Sequence, residues 1–314
     1  MTISLRRSTG APVDRRRRPR ATAQPLLRQR KFWGVIFVAP AITSVTLLMI
    51  IPTFQALYYS FTDWNGRSAN WVGFANYTQG VFASPDFLRI LLNTLLIIVS
   101  VPFGVAFSLI IAHLLATHTW GRRLFRGIYF MPIALSWVVI GLTFGYLLSS
   151  RGPINDLLSA IGLSALRQDW LGTEATALGS LILVFNWAFF GINVVLLYTG
   201  MTTADPSVRE AAMLDGASGW KMLVHIVLPQ TRRYIELCLI LTMSAAITGV
   251  FGLIYTMTSG GPGAATTTFE YVLYTRSFNL GHFSQGAAFG ILLFLFSLVF
   301  AVLRLRSGVR ADDK

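Results

Sequence analysis

Charge is scarce in this sequence. Asp, Glu, Lys and Arg make up 12% of the 314 residues, against about 25% in an average soluble domain. That deficit excludes a chain solvated by water along most of its length, and the mean hydropathy of +0.60 agrees. Acid is scarcer than base: 13 Asp and Glu stand against 26 Lys and Arg, a net charge of +13. Cysteine is nearly absent. Cys238 lies alone inside an apolar run, so it forms no intrachain disulfide and builds no multi-thiolate metal site; it reads as small apolar packing. It says nothing about redox compartment.

The groups that do chemistry are missing as well. His113, His118, His225 and His282 are scattered, without the His-x3-His or Glu-x2-His spacing that holds a metal. The serines have no neighbouring histidine and acid to activate them. No GxxxxGK[ST] loop cradles the phosphates of ATP. The chain is therefore read as non-catalytic and free of cofactor or metal, and any energy it uses must come from a partner. Carboxylates are essentially absent from the cores of the apolar runs, where ion-coupled carriers place them. Glu236 lies at the very start of one run, beside Arg232 and Arg233, which suits an interfacial ion pair. This argues against a secondary carrier.

What is abundant is long apolar sequence. A spanning helix needs about 20 such residues. Six stretches qualify: Trp33–Leu57, Leu88–Ala116, Arg126–Leu148, Ala175–Thr199, Ile235–Met257 and Gln285–Leu305. Lipid offers no partner to a backbone amide, so only helices or closed barrels can cross. The runs do not alternate, so helices are expected, and the fold class is an all-α integral membrane protein with six transmembrane helices. Pro40, Pro52, Pro102, Gly104 and Pro132 fall inside runs, where a membrane helix tolerates them.

Lys and Arg orient the chain. One set of loops, with both termini, carries 21 of them; the opposite set carries five, Arg67, Arg89, Arg151, Arg167 and Arg276. Both termini are thus expected in the cytoplasm, and the surplus charge is a topology signal beside anionic lipid rather than a nucleic-acid footprint. Residues 1–31 hold ten of the 21, including Arg15 to Arg18, among Pro12, Pro19 and Pro25. They read as a disordered basic tail, and the apolar run that follows is too long for a signal peptide. Residues 32–306 form the membrane domain, and 307–314 a short cytoplasmic tail. Tyr58, Tyr59, Trp64, Trp71 and Trp170 lie in the outer loops, as interfacial aromatics do.

The segment 200–233 is neither span nor linker. Asp205 and Pro206 write a helix start. Gly216 stands where a left-handed residue ends a helix. Ser218 is placed to cap a second helix over 219–227, closed by Pro229. The pair displays Ala211, Ala212 and Ala217 beside Glu210 and Asp215. It suits either a docking surface for a cytoplasmic partner or a helix resting on the membrane.

The stretch EAAMLDGASGWKMLVHIVLP, residues 210–229, resembles the EAA loop of ABC importer permeases. Glu210, Ala211, Ala212, Gly216, Ile226, Leu228 and Pro229 match that pattern at its spacing. The resemblance implies that this loop couples to an ATPase, with Glu210 contacting it and Gly216 making the turn. PTFQALYYSFTDWNG, WVGFANYT, RGPIN and YTMTSGGPGAATTTFEYVLYTRSFN resemble the maltose-type carbohydrate branch. Members often carry Asp three residues before the Tyr that is Tyr255 here, and this chain has Gly252. The resemblance implies a sugar importer with a second permease, two ATPase subunits and an extracytoplasmic binding protein. A permease of the same family for a glycerol phosphodiester is the alternative. A sugar path needs neutral polar and aromatic groups inside helices. Asn93, Thr94, Asn186, Trp187, Asn193, Tyr255 and Thr256 are such groups, although interhelical hydrogen bonds demand the same residue types.

Overall fold

A computed structural model describes residues 24–117, 131–203, 206–217 and 219–312. Among them the chain is helical, with one isolated bridge, Thr62 to Trp71. The basic stretch 1–23, Arg122, Arg123, Arg126, Asp205, Ser218 and Lys314 lie outside the described residues.

Two compact units divide the chain after Phe54. The first unit is helical from Gln24, inside the stretch read as a tail. Its apolar part belongs to the span α1, Gly34–Tyr59.

The second unit holds the remaining spans. They are α2, Phe87–Thr117, α5, Glu174–Thr203, and the span part of α11, Phe283–Arg304; α11 itself runs Phe283–Asp312. These match three predicted runs to within a few residues, because length and apolarity are properties of composition alone. The most extensive packing is between α2 and α5. Ile97, Val101 and Val105 on one helix and Leu181, Val184 and Phe185 on the other belong to one fully buried cluster. Gly104 lets the helices meet closely, since a Cβ there would overlap the side chain of Asn186.

Two predicted spans differ. The run Arg126–Leu148 is not one helix: a single 3-10 turn, Met131–Ala134, is followed by α3, Trp137–Leu147. Ser136 is extended and its hydroxyl accepts from the Val139 amide at 3.4 Å. A local cap thus starts a new helix inside an apolar run. At 11 residues α3 is short for a crossing; the six-helix count is compatible with the architecture. The fifth run is also divided, into α8, Arg232–Thr248, and α9, Phe251–Met257, bent by 54° at the break.

The loops are built by buried polar side chains. After Tyr59, Asn76 donates to the carbonyls of Ser60 and Thr62 at 2.9 and 2.7 Å, and Tyr59 stacks on Trp64 at 4.3 Å. In the next loop, α4, Pro153–Ala160, carries buried Asn155. Its amide donates to the carbonyls of Ser150 and Gln168 at 3.0 and 2.9 Å and accepts from the Trp170 indole at 3.1 Å. Tyr59, Trp64 and Trp170 therefore have structural partners within the loops that carry them.

Candidate functional site

The segment after α5 folds as two short helices, α6, Pro206–Leu214, and α7, 219–230. Gly216 ends α6 with φ of +79°. The Ala217 amide donates to the Ala212 carbonyl at 2.9 Å, and the Gly216 amide to Met213 at 3.1 Å. This bond pair is the Schellman closure, which needs a left-handed residue at the glycine. The expected end at Pro229 is not observed. Residues 223–227 form a wider turn, in which the Leu228 amide reaches back to Leu223, and the helix continues through Pro229 to Gln230. The wider turn takes the proline ring past the carbonyl it would otherwise strike.

The two helices present two kinds of surface. Ala212, Met222, Leu223 and Val227 are buried, and Ala217 and Ile226 pack on them. Glu210, Ala211, Asp215, Gly216, Leu228 and Pro229 are exposed. Apolar side chains join them: Leu214 is 90% exposed and Trp220 69%. A groove of about 700 Å³ runs between this pair and the C-terminal end of α2, lined by Ile110, Leu114, Met213, Trp220 and Leu223 among others. Met213, Leu214 and Trp220 were not legible as surface residues, because their chemistry suggests burial.

The polar residues inside the spans are placed as follows. Asn93 of α2 is 4% exposed; its amide donates to the carbonyls of Ala264 and Thr267, both at 2.9 Å. Thr94 bonds to its own helix at the Ile90 carbonyl. Asn186 of α5 donates to the Ser100 hydroxyl of α2 at 2.9 Å. Buried Asn193 accepts from the Thr242 hydroxyl of α8 at 3.3 Å. Trp187 is half-buried, edge-on to Phe144 of α3 at 4.8 Å. Thr256 bonds to the Gly252 carbonyl at 2.7 Å, and its side chain lies against Gly141 of α3. Tyr255 alone of the six path candidates, Asn93, Asn186, Trp187, Asn193, Tyr255 and Thr256, is exposed, at 44%.

One carboxylate was missed. Beyond the loop after α9, a helix α10, Phe269–Tyr274, continues as a wider turn through Thr275–Asn279. From it Glu270 reaches the break in the fifth span and accepts from the amides of Val250 and Phe251 at 3.1 and 2.9 Å. Burial pushes its carboxyl up to about 7, against the pull of the two amides. At Gly252, where the resembled family often has Asp, an added Cβ would stand 3.0 Å from the Trp137 Cβ. The close approach of α9 to α3 leaves little room there, and the acid at this break comes from Glu270 instead. An acidic residue in the first turn of an apolar helix was the signal for it.

Comparison with known proteins gives a family match and close relatives in fold. The family described as binding-protein-dependent transport system inner membrane component matches residues 104–309. The chain is 30% identical to the probable ABC transporter permease protein YurN of Bacillus subtilis, over 90% of this chain and 97% of that protein. It is 28% identical to the multiple sugar-binding transport system permease protein MsmF of Streptococcus mutans, over 88% and 95%. A solved chain from a bacterial ABC transporter involved in the import of the acidic polysaccharide alginate matches with a TM-score of 0.79. It covers 91% of this chain and 99% of its own, at 22% identity, a likeness of fold.

Proposed function

This chain belongs to the binding-protein-dependent transport system inner membrane components, and on that premise we propose that it is one permease subunit of an ATP-driven importer of a sugar or oligosaccharide. A sugar substrate is supported by the name of the Streptococcus mutans relative and by the carbohydrate-branch segments of the sequence. A binding protein outside the membrane delivers the solute, a second permease completes the path, and two ATPase subunits dock on the cytoplasmic side. Both termini and the α6–α7 pair then lie in the cytoplasm, in keeping with the 21-to-5 split of Lys and Arg.

The observation that carries the coupling role is the exposed ridge on α6. Glu210, Asp215 and the 90% exposed Leu214 stand on a helix ended by a left-handed glycine. A ridge of small, acidic and apolar residues suits a protein cleft better than anionic headgroups, which repel acid. ATP-driven closure of the ATPase pair would move this ridge, and α7 would pass the movement to the spans through buried Leu223 and Val227.

Of the path candidates, Tyr255 keeps a side-chain face for solute, while the amides of Asn93, Asn186 and Asn193 hold helices and loops in place. The coupling role is tested with Glu210→Lys. Like charges brought together at an interface cost up to several kcal/mol. Uptake and copurification of the ATPase should both fall sharply, with solute binding to the external protein unchanged. Near-normal values for both would assign α6 to the lipid surface.

A further inference from the structure

The coupling segment leaves the membrane at the end of α5 and returns through α7 into α8, and its two ends meet at one side chain. Gly200, buried in the last turns of α5, lies against the ring of Tyr234 in the first turn of α8; a Cβ at that glycine would stand 2.5 Å from the ring. A small residue lets two membrane helices come this close. One turn further on, the Thr203 hydroxyl is 3.4 Å from the Tyr234 hydroxyl.

Tyr234 is also tied to α7. Its amide donates to the Thr231 carbonyl at 2.9 Å. Thr231 is fully buried, and its amide and hydroxyl both donate to the Val227 carbonyl of α7, at 2.9 and 2.7 Å. Val227 and Leu223 belong to the same buried cluster as Leu197 and Met201 of α5. Away from the segment the two spans stay joined. Tyr234, Cys238 and Thr242, four residues apart, share one face of α8. The Thr242 hydroxyl donates to the Asn193 side chain of α5 at 3.3 Å, and the Cys238 thiol reaches the Asn193 carbonyl at 3.9 Å. All three of these residues are buried. Close-packed interiors are stiff and transmit strain. A segment whose ends are pinned together drives both spans; were the ends free to splay, the segment would absorb the same push.

We infer that Tyr234, seated against Gly200, is a positioning residue that locks the two ends of the coupling segment together, so that a displacement of α6 and α7 turns α5 and α8 as one lever; this rests on the coupling role proposed above.

The test uses the whole transporter in proteoliposomes, with its binding protein and with maltose, cellobiose, xylobiose and chitobiose as probes. Three quantities are measured: ATPase copurification, stimulation of ATP hydrolysis by the binding protein, and import. In Tyr234→Ala the ATPase should copurify within twofold of wild type, because the exposed ridge of α6 is unchanged. Stimulation and import should both fall at least fivefold. Tyr234→Phe keeps the ring against Gly200 and should retain at least half of each. The double variant Thr203→Cys with Tyr234→Cys separates a clamp from ordinary packing. Its stimulation should be as low as that of Tyr234→Ala, and should return to at least half of wild type when a bifunctional thiol reagent bridges the pair. A monofunctional reagent should restore nothing; the native thiol of Cys238 is buried. Stimulation within twofold of wild type in Tyr234→Ala overturns the clamp, and so does a bridged pair that works no better than a capped one. Loss of the ATPase from Tyr234→Ala also overturns it, because the ring then shapes the docking ridge. Glu210→Lys is run alongside, and normal ATPase copurification there overturns the coupling role itself. Wild type that imports none of the probes overturns the sugar reading alone, and stimulation of ATP hydrolysis then decides the clamp.

Discussion

Asn93→Leu separates a path residue from an anchor. Leucine keeps the branched heavy-atom skeleton of asparagine and the helix, so the change replaces the amide by two somewhat bulkier methyl groups and removes its hydrogen bonds. The amide donates to two carbonyls in the loop that follows α9, at Ala264 and Thr267, both at 2.9 Å. Both loop residues are buried. The Ala264 carbonyl keeps a second, longer bond from the Thr267 amide at 3.3 Å, whereas among the described residues the Thr267 carbonyl has no other donor. A buried acceptor left without its donor costs about 1–3 kcal/mol. With the weaker loss at Ala264, the total is about 2–4 kcal/mol. Large domains lose about 2–4 °C of melting temperature per kcal/mol, so the melting temperature should drop by about 5 °C or more. The assay is thermal denaturation of the purified transporter in detergent, beside import at a temperature well below the transition. An anchor lowers the melting temperature and leaves low-temperature import close to wild type. A melting temperature within a degree of wild type, with import lost, would refute the anchor and return Asn93 to the path.

Two further outcomes follow from the geometry. Gly216→Val places a β-branched residue at φ of +79°, with nothing within 4 Å to obstruct it. The cost is therefore backbone strain alone, at least about 1–2 kcal/mol. ATPase copurification should weaken, and Gly216→Asn should lose less; equal copurification for valine and glycine would remove the left-handed cap from the coupling role. At Glu270 the folded carboxyl, near 7, holds its proton above the ordinary value of 4.5. Between those values the folded form binds a proton that the unfolded form has released, so stability falls as pH rises through that window. Glu270→Gln keeps an acceptor for the two amides and removes the titration. Its melting temperature should be flatter than wild type between pH 4.5 and 7; parallel curves would mean that Glu270 does not titrate there.

Length and apolarity made α2, α5 and α11 legible, since a run of lipid-compatible residues needs no partner to be recognised. The breaks were not legible, for two different reasons. Ser136 is one ordinary serine in an apolar run, and only its extended backbone and its bond to Val139 turn it into a cap. The bend between α8 and α9 has a cause far along the chain. Gly249 permits it locally, but the amides freed at Val250 and Phe251 are satisfied by a carboxylate 20 and 19 residues later. Periodicity has no access to that partner. Pro229 shows the opposite error: proline is a sound local stop, yet a wider turn just before it lets α7 continue.

The same division explains the site. The cap at Gly216 was readable because every atom of it lies within six residues. The asparagines were not, because a translocation path and a helix bundle need the same residue types. What separates the two uses is whether the side chain still has an open face once the chain has folded. Asn93 spends its amide on carbonyls 171 and 174 residues away, and Asn186 reaches a hydroxyl 86 residues back. Tyr255 meets the rings of Phe251 and Tyr274 and is still 44% exposed. Its neighbour Tyr274, 5.6 Å away between ring centroids, comes from α10, outside the span, and carried no signal of its own. A surface assembled from two elements joined by one buried acid exists only when the acid has found its amides. Contacts made between elements far apart in the chain are therefore those that sequence reasoning is least able to bring together.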